Sequence, residues 1–244
     1  MHWSWFRIVA AITGFSGVVA GFIVNVDRAA RQGHGLDEVL ANYFSLFTIV
    51  STLLAVLTLL VAASWGMRHT GTEREPLGIA LALAAVTGPV LLLGLVYNAL
   101  LRGLPAPVAL GDSVGIGMLD SYAAEVLHVV LPIYFVLDLL LAPHRRGLPW
   151  WSLAVLVGYP LGWTAYTMVR GERVGNPDGT TAWWYPYPFL DPHGAGGYPS
   201  ALLYIGAILA GFLAIGTAII VIGRYRERRV TRHGAPATRG ALPA

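Results

Sequence analysis

Three ionisable side chains, Glu125, His128 and Asp138, fall within one apolar stretch, Tyr122–Ala142. Ionisable groups in such a setting are costly, so their presence points to a task. On a helix of about 3.6 residues per turn, Glu125, His128 and Pro132 share roughly 60° of arc. Pro132 has no N–H to offer the His128 carbonyl, which predicts a kink and a free carbonyl beside the imidazole. A second apolar stretch, Asn42–Trp65, places Ser45, Thr48 and Thr52 on one narrow face, with Asn42 just above. At about 1.5 Å of rise per residue, Thr48 lies ~9 Å below Asn42, and His128 lies equally far below Tyr122. A hydroxyl and an imidazole at matched depth are the minimum for a base-activated oxygen nucleophile. The plainer alternative is a Thr48 bonded to its own helix and a His128 that is a buried packing donor.

Other reactive patterns are weaker. Gly111-Asp112-Ser113-Val114-Gly115 matches the G-x-S-x-G elbow, but that elbow needs a strand turning into a helix. Here it follows Leu104-Pro105-Ala106-Pro107 between apolar stretches, and in a chain with 29 glycines it reads as chance. His34, His128, His144 and His193 are scattered without metal-ligand spacing, so no metal or cofactor is expected. There is no cysteine, which excludes disulfides, thiolate sites and a cysteine nucleophile. Asp191 and His193 form a small polar cluster that reads as a solvated turn. Asp138 lies about 15 Å beyond His128 and is expected to pair with an arginine such as Arg145.

The elements that must position these groups follow from composition. Of 244 residues, 56% are hydrophobic and 12% charged, and the mean hydropathy is +0.62. A soluble domain carries nearer a quarter of charged residues, so lipid is the expected solvent. Six stretches reach the roughly 20 residues that span a bilayer core: Phe6–Val26, Asn42–Trp65, Leu77–Leu101, Tyr122–Ala142, Trp150–Val169 and Ser200–Gly223. None alternates like a barrel strand, so each is read as a helix. The expected fold is an all-α bundle of about six transmembrane helices over residues 1–223. A basic tail, 224–244, reads as disordered. The first stretch lacks a clean cleavage site and reads as an uncleaved helix.

All sixteen basic residues are arginine. With six spans, Arg7, Arg68, Arg74, Arg145, Arg146 and the tail arginines share one side, against Arg28, Arg31, Arg102, Arg170 and Arg173 on the other. The positive-inside rule then places both termini in the cytoplasm of a multi-pass cell-membrane protein. The basic tail is expected to contact anionic membrane lipids and not nucleic acid. The Gly-, Pro- and aromatic-rich segment Arg170–Pro199 reads either as a lid over the outer face or as an interfacial anchor. The small-residue pairs Gly17/Gly21 and Ala207/Gly211 read as packing seams within the bundle, with a homodimer contact as the lesser alternative.

Three ordered landmarks accompany this layout: Asn42-Tyr43-Phe44-Ser45-Leu46-Phe47-Thr48-Ile49, His128-Val129-Val130-Leu131-Pro132 and Tyr185-Pro186-Tyr187-Pro188-Phe189-Leu190. Together with the six-helix layout they resemble the androgen-induced protein and androgen-dependent TFPI-regulating protein family, chiefly its bacterial members. The resemblance implies a bacterial plasma-membrane hydrolase that cleaves fatty acid esters of hydroxy fatty acids, or similar lipid esters, within the membrane. It implies Thr48 as nucleophile and His128 as base, the pair already matched by depth. Asn42, Ser45 or a free backbone N–H is the expected oxyanion donor, and Glu125 the group that orients His128. The alternative from another class is a small transporter or lipid-binding protein without turnover. Inverted repeats would favour it, and the two halves show no such similarity.

Overall fold

The computed structural model describes residues 2–69, 73–103, 109–176 and 179–233, with side chains through Arg229. Among them every regular element is helical. α1 (His2–Gln32) leads through a turn into the short α2 (Leu36–Tyr43), followed by α3 (Phe47–Arg68) and α4 (Leu77–Val96). α4 continues as a π-helical turn, Tyr97–Leu101. α5 (Val114–Glu125) passes through a second π turn, Val126–Val130, into α6 (Leu131–Leu141). α7 (Ser152–Gly171) and α8 (Gly197–His233) complete the bundle.

Among the described residues, five helical rods are long and apolar enough to cross a membrane: His2–Gln32, Phe47–Arg68, Leu77–Leu101, Val114–Leu141 and Gly197–Arg229. The chain is thus an all-helical, multi-pass membrane protein. α7 has the length for a sixth span, at 20 residues, but Gly158, Tyr159, Pro160, Gly162, Trp163 and Thr164 lower its hydropathy. It packs on α4 and α8 within the same bundle. α4 is central, touching α3, α6, α7 and α8, whereas α1 lies against α3 and α5. Leucines, isoleucines and aromatics such as Phe6, Ile12, Leu57, Ile133 and Leu203 are exposed on the outside, as a lipid-facing surface requires.

Small residues set the close approaches. A Cβ on Gly17 would lie 2.7 Å from Val126 Cγ1, and one on Gly21 would lie 2.9 Å from the Tyr43 hydroxyl. That seam packs within the bundle, as expected. Tyr43 then donates its hydroxyl to the Val18 carbonyl and ties α2 to α1.

The end where α1 begins, here the proximal end, holds a buried charge cluster. Asp138 accepts from Trp3 Nε1 at 2.7 Å and from Arg7 Nε at 2.9 Å, and Arg145 Nη1 lies 3.4 Å away. Glu75 stands 3.9 Å from both Arg7 and Arg145. The expected Asp138–Arg145 pair is present, with Arg7 as the closer partner. Burial pushes the Glu75 carboxyl above the usual range, partly offset by Arg145 and then Arg7.

The expectation of a tail from 224 onward is corrected as far as His233, because α8 continues through it. Arg224 Nε donates to the Leu148 carbonyl, and Arg226 donates to the carbonyls of Leu139 and Ala142. Leu139 and Ala142 carry orphan carbonyls of the α6 C-terminus and Leu148 lies in the loop before α7; together they hold the arginine-rich turns in place. Residues 234–244 lie outside the described residues.

Candidate active site

The second span departs from the sequence expectation. Asn42 and Ser45 do not stand on the helix of Thr48. Ser45 Oγ donates to the Asn42 carbonyl at 2.7 Å, the backbone competition by which short polar side chains end helices. Leu46 is then extended (φ −65°, ψ 131°), and α3 starts at Phe47. Thr48 therefore lies in the first turn of α3, at the distal end of the bundle. Leu46 supplies no side-chain cap, and the first helical bond runs from Val50 N–H to the Leu46 carbonyl. The N–H groups of Phe47, Thr48 and Ile49 precede that bond, at the positive end of the helix dipole.

A side chain from the distal loop meets this turn. The Tyr187 and Thr48 hydroxyls are 3.3 Å apart, and the Tyr187 oxygen lies beside the backbone N–H groups of Thr48 and Phe47. Burial raises the Tyr187 phenol above its usual range, with the Thr48 hydroxyl and those N–H groups offsetting part of the effect. The loop is itself tied down. Glu172 accepts from the Tyr185 hydroxyl at 2.8 Å and lies 2.9 Å from His193 Nε2. Both contacts, Tyr185 first, hold Glu172 below the usual carboxylate range. Tyr187, Phe189 and Leu190 of this loop line the same space as the first turn of α3. α7 braces the same turn: Trp163 Nε1 donates to the Ser45 carbonyl at 3.0 Å, and Phe47 packs against Trp163 and Tyr159.

His128 stands in the π turn that precedes Pro132. Its Nδ1 is 3.0 Å from the Ala124 carbonyl, an acceptor only, so Nδ1 carries a proton, and in the neutral ring Nε2 keeps its lone pair. The expected free carbonyl of His128 is there, and Asn98 Nδ2 donates to it at 2.9 Å. The Tyr97 ring stacks on the imidazole, with centroids 4.0 Å apart and planes at 16°. Gly94 allows the two rods to meet this closely: a Cβ there would lie 2.7 Å from Pro132 Cγ and 3.1 Å from the His128 carbonyl oxygen. π turns make up well under 1% of residues and cluster at functional sites. Here two of them face each other.

Thr48 and His128 line one partly open cavity of about 80 Å³, walled by α3, α4, both π turns, α7, α8 and the distal loop. Its walls are almost wholly apolar apart from Thr48, Thr164, His128, Tyr97 and Tyr187. The structure therefore brings the expected pair to one space, although the two side chains are not hydrogen-bonded to each other in this state. The supporting residues are not brought there. Asn42 Oδ1 accepts from Arg170 at 2.7 Å, Ser45 is held by its local turn, and neither lines the cavity. Glu125 is not the partner of Nδ1 either, since Ala124 holds that nitrogen and Glu125 pairs with Arg102 at 2.6 Å. Ser113 is the N-cap of α5, accepting from Ile116 N–H at 3.3 Å, and is no elbow nucleophile. Among the described residues no group of three His, Cys, Asp or Glu side chains is placed to hold a metal.

Tyr97, Asn98, Trp163 and Tyr187 escape the sequence reading. The polar Asn98 at the end of an apolar rod, and a tyrosine between two prolines, are the signals that point to two of them. No family model matches the chain, and no curated protein or solved structure matches it.

Proposed function

We propose that the protein is an intramembrane hydrolase of lipid acyl esters, with Thr48 as nucleophile and His128 as general base. The observation that supports this most is the meeting, in one apolar cavity, of a helix-start hydroxyl and an imidazole whose tautomer leaves Nε2 free. The proposed topology has six spans, α7 being the sixth, with both termini in the cytoplasm of a bacterial plasma membrane. The cavity then opens toward the outer leaflet.

In this reading the ester carbonyl displaces the Tyr187 hydroxyl. Thr48 Oγ1 attacks the carbonyl carbon while His128 Nε2 takes its proton. The negative charge on the carbonyl oxygen is met by the N–H groups of Phe47 and Thr48, which lie beside the Tyr187 oxygen. The imidazolium returns the proton to the leaving alcohol, leaving an acyl-threonine. Water, deprotonated by the same imidazole, then releases the acid and restores Thr48. A cavity of about 80 Å³ holds only a few waters, so a long acyl chain must lie partly between the helices.

A serine- and threonine-reactive fluorophosphonate separates this reading from a binding or transport protein with the same pocket. Labelling of the wild type, lost in Thr48→Ala and slowed in His128→Ala, is expected. Thr48→Ser should retain activity and Thr48→Val should be folded and inactive. An active Thr48→Val protein, measured on a lipid ester in detergent micelles, overturns the mechanism.

A further inference from the structure

Behind the His128 ring, on the side of α4, lies a chain of polar contacts that packing alone does not require. Asn98 spends both amide protons on carbonyls, Gly94 at 2.7 Å in its own helix and His128 at 2.9 Å across the interface. Its Oδ1 accepts from Arg102 Nε at 2.8 Å. The Arg102 guanidinium also sits 5.4 Å from the centroid of the Tyr97 ring, which is stacked on His128. Arg102 Nη1 donates to Glu125 at 2.6 Å, at the last residue before the π turn that carries His128. The π turn of α4 and the π turn of the α5–α6 rod are thus joined at three points: ring to ring, amide to carbonyl, and guanidinium to carboxylate.

We propose that Tyr97, Asn98 and Arg102 are positioning residues that fix the plane and tautomer of the His128 imidazole, with Glu125 as the outermost tie. The torsion that turns an imidazole about its Cβ–Cγ bond is soft and roughly two-fold, so a base needs more than one restraint. The Ala124 carbonyl holds one nitrogen, and the Tyr97 face holds the plane. Asn98 holds the backbone where Pro132 has removed the ordinary helical donor. Arg102 orients Asn98 and Tyr97 together. Glu125 therefore does act on His128, at two removes and not by contact with the ring. Asn98, Arg102 and Glu125 are exposed near the distal end of the α4 rod, yet they are bonded to one another and to the backbone that carries His128.

The inference rests on the hydrolase reading only for its kinetic arm, so a spectroscopic arm reads it separately. In full-length protein with ¹⁵N-imidazole labels, the His128 resonance is identified by its loss in His128→Ala. The wild type should show one neutral tautomer, protonated at Nδ1. Tyr97→Leu and Asn98→Leu should show a mixture of tautomers, and Tyr97→Phe, which keeps the stacked ring, should match the wild type. In the kinetic arm, Tyr97→Leu should lower kcat by about tenfold with KM unchanged, as loss of orientation without loss of binding. Tyr97→Phe should restore it, and Arg102→Met should fall between. A wild-type tautomer that persists in both leucine variants overturns the proposal, as does a Tyr97→Phe protein no better than Tyr97→Leu. A wild type that shows the single tautomer yet never labels with fluorophosphonate would overturn the hydrolase and leave the positioning role standing.

Discussion

Gly94→Ala tests whether the spacing of the two π turns, and not stability, sets activity. The added Cβ would lie 2.7 Å from Pro132 Cγ, 2.9 Å from Pro132 Cβ and 3.1 Å from the His128 carbonyl oxygen. Carbon atoms rest at about 3.5–4.0 Å, so the rod carrying His128 must retreat by roughly 0.8 Å or more. Pro132 is a rigid ring and the carbonyl is backbone, so neither can rotate aside. Overpacking of this kind costs about 1–3 kcal/mol, and replacing a helical glycine by alanine returns about 1 kcal/mol. The net loss of stability is therefore small, about 0–2 kcal/mol. The loss of rate is large: a misplacement of about 1 Å at a reacting group can cost on the order of 100-fold. Gly88→Ala, on the same helix with nothing within 4 Å of its Cβ, is the control and should keep full activity. The assay pairs hydrolysis of a lipid ester in micelles with thermal unfolding of the same samples. A Gly94→Ala protein within twofold of the wild-type rate would refute the claim that this contact positions the base.

Four further outcomes are expected. Ser113→Ala should lower stability by about 1 kcal/mol through loss of an N-cap and leave hydrolysis untouched; a large loss of rate would move the nucleophile to that loop. Asp138→Asn should destabilise by about 3–5 kcal/mol, because Arg7 and Arg145 would remain buried without their carboxylate, and thermal unfolding checks this. Arg28, and after it Arg31, hold the Asp112 carboxyl below its usual range. That contribution is present above the unfolded pKa of about 3.9 and is lost as pH falls through the lower folded value, so Asp112→Asn should flatten the acid limb of the stability profile. In a chain without cysteine, single cysteines at Gly33 and Gly179 should react with an impermeant thiol reagent on intact cells, and one at Glu73 should not; the reverse would invert the proposed topology.

The sequence and the structure agree where one backbone rule decides the matter. The rod Leu77–Leu101 has the expected bounds, and Pro132 marks both the irregular turn and the carbonyl it leaves free. They part where the deciding contact comes from another helix. Nothing local to His128 reveals that Asn98, thirty residues earlier, would take its carbonyl. The break between α2 and α3 is hidden because Phe44, Leu46 and Phe47 are as apolar as any spanning helix. Its signal lies in Asn42 and Ser45, which read as candidates for chemistry and prove to shape the backbone. The aromatic loop is legible as a lid or an anchor. Its contact with the helix start, Tyr187 to Thr48 across 139 residues, is not.

The pairing of Thr48 with His128 shows how a right juxtaposition can follow from a wrong frame. Rise per residue places both about 9 Å below a shared surface, if Asn42 and Tyr122 mark the two helix entries. In the structure neither does. α3 begins one residue before Thr48, whereas α5 begins fourteen residues, or about 21 Å of rise, before His128. The two side chains reach one cavity because the first turn of α3, with Phe47, Thr48 and Ile49 buried in the bundle, stands level with the π turn of the longer rod; α2, before it, packs against α1. That recess has a chemical consequence. A helix that starts at a bilayer surface offers its first N–H groups to water. One that starts inside the bundle must offer them to protein or to a ligand. Here two of them lie beside the Tyr187 hydroxyl and the threonine it touches, at the place where a carbonyl oxygen under attack by Thr48 would need donors. The irregular chain at Phe44–Leu46 is thus what turns an ordinary helix start into a candidate oxyanion site.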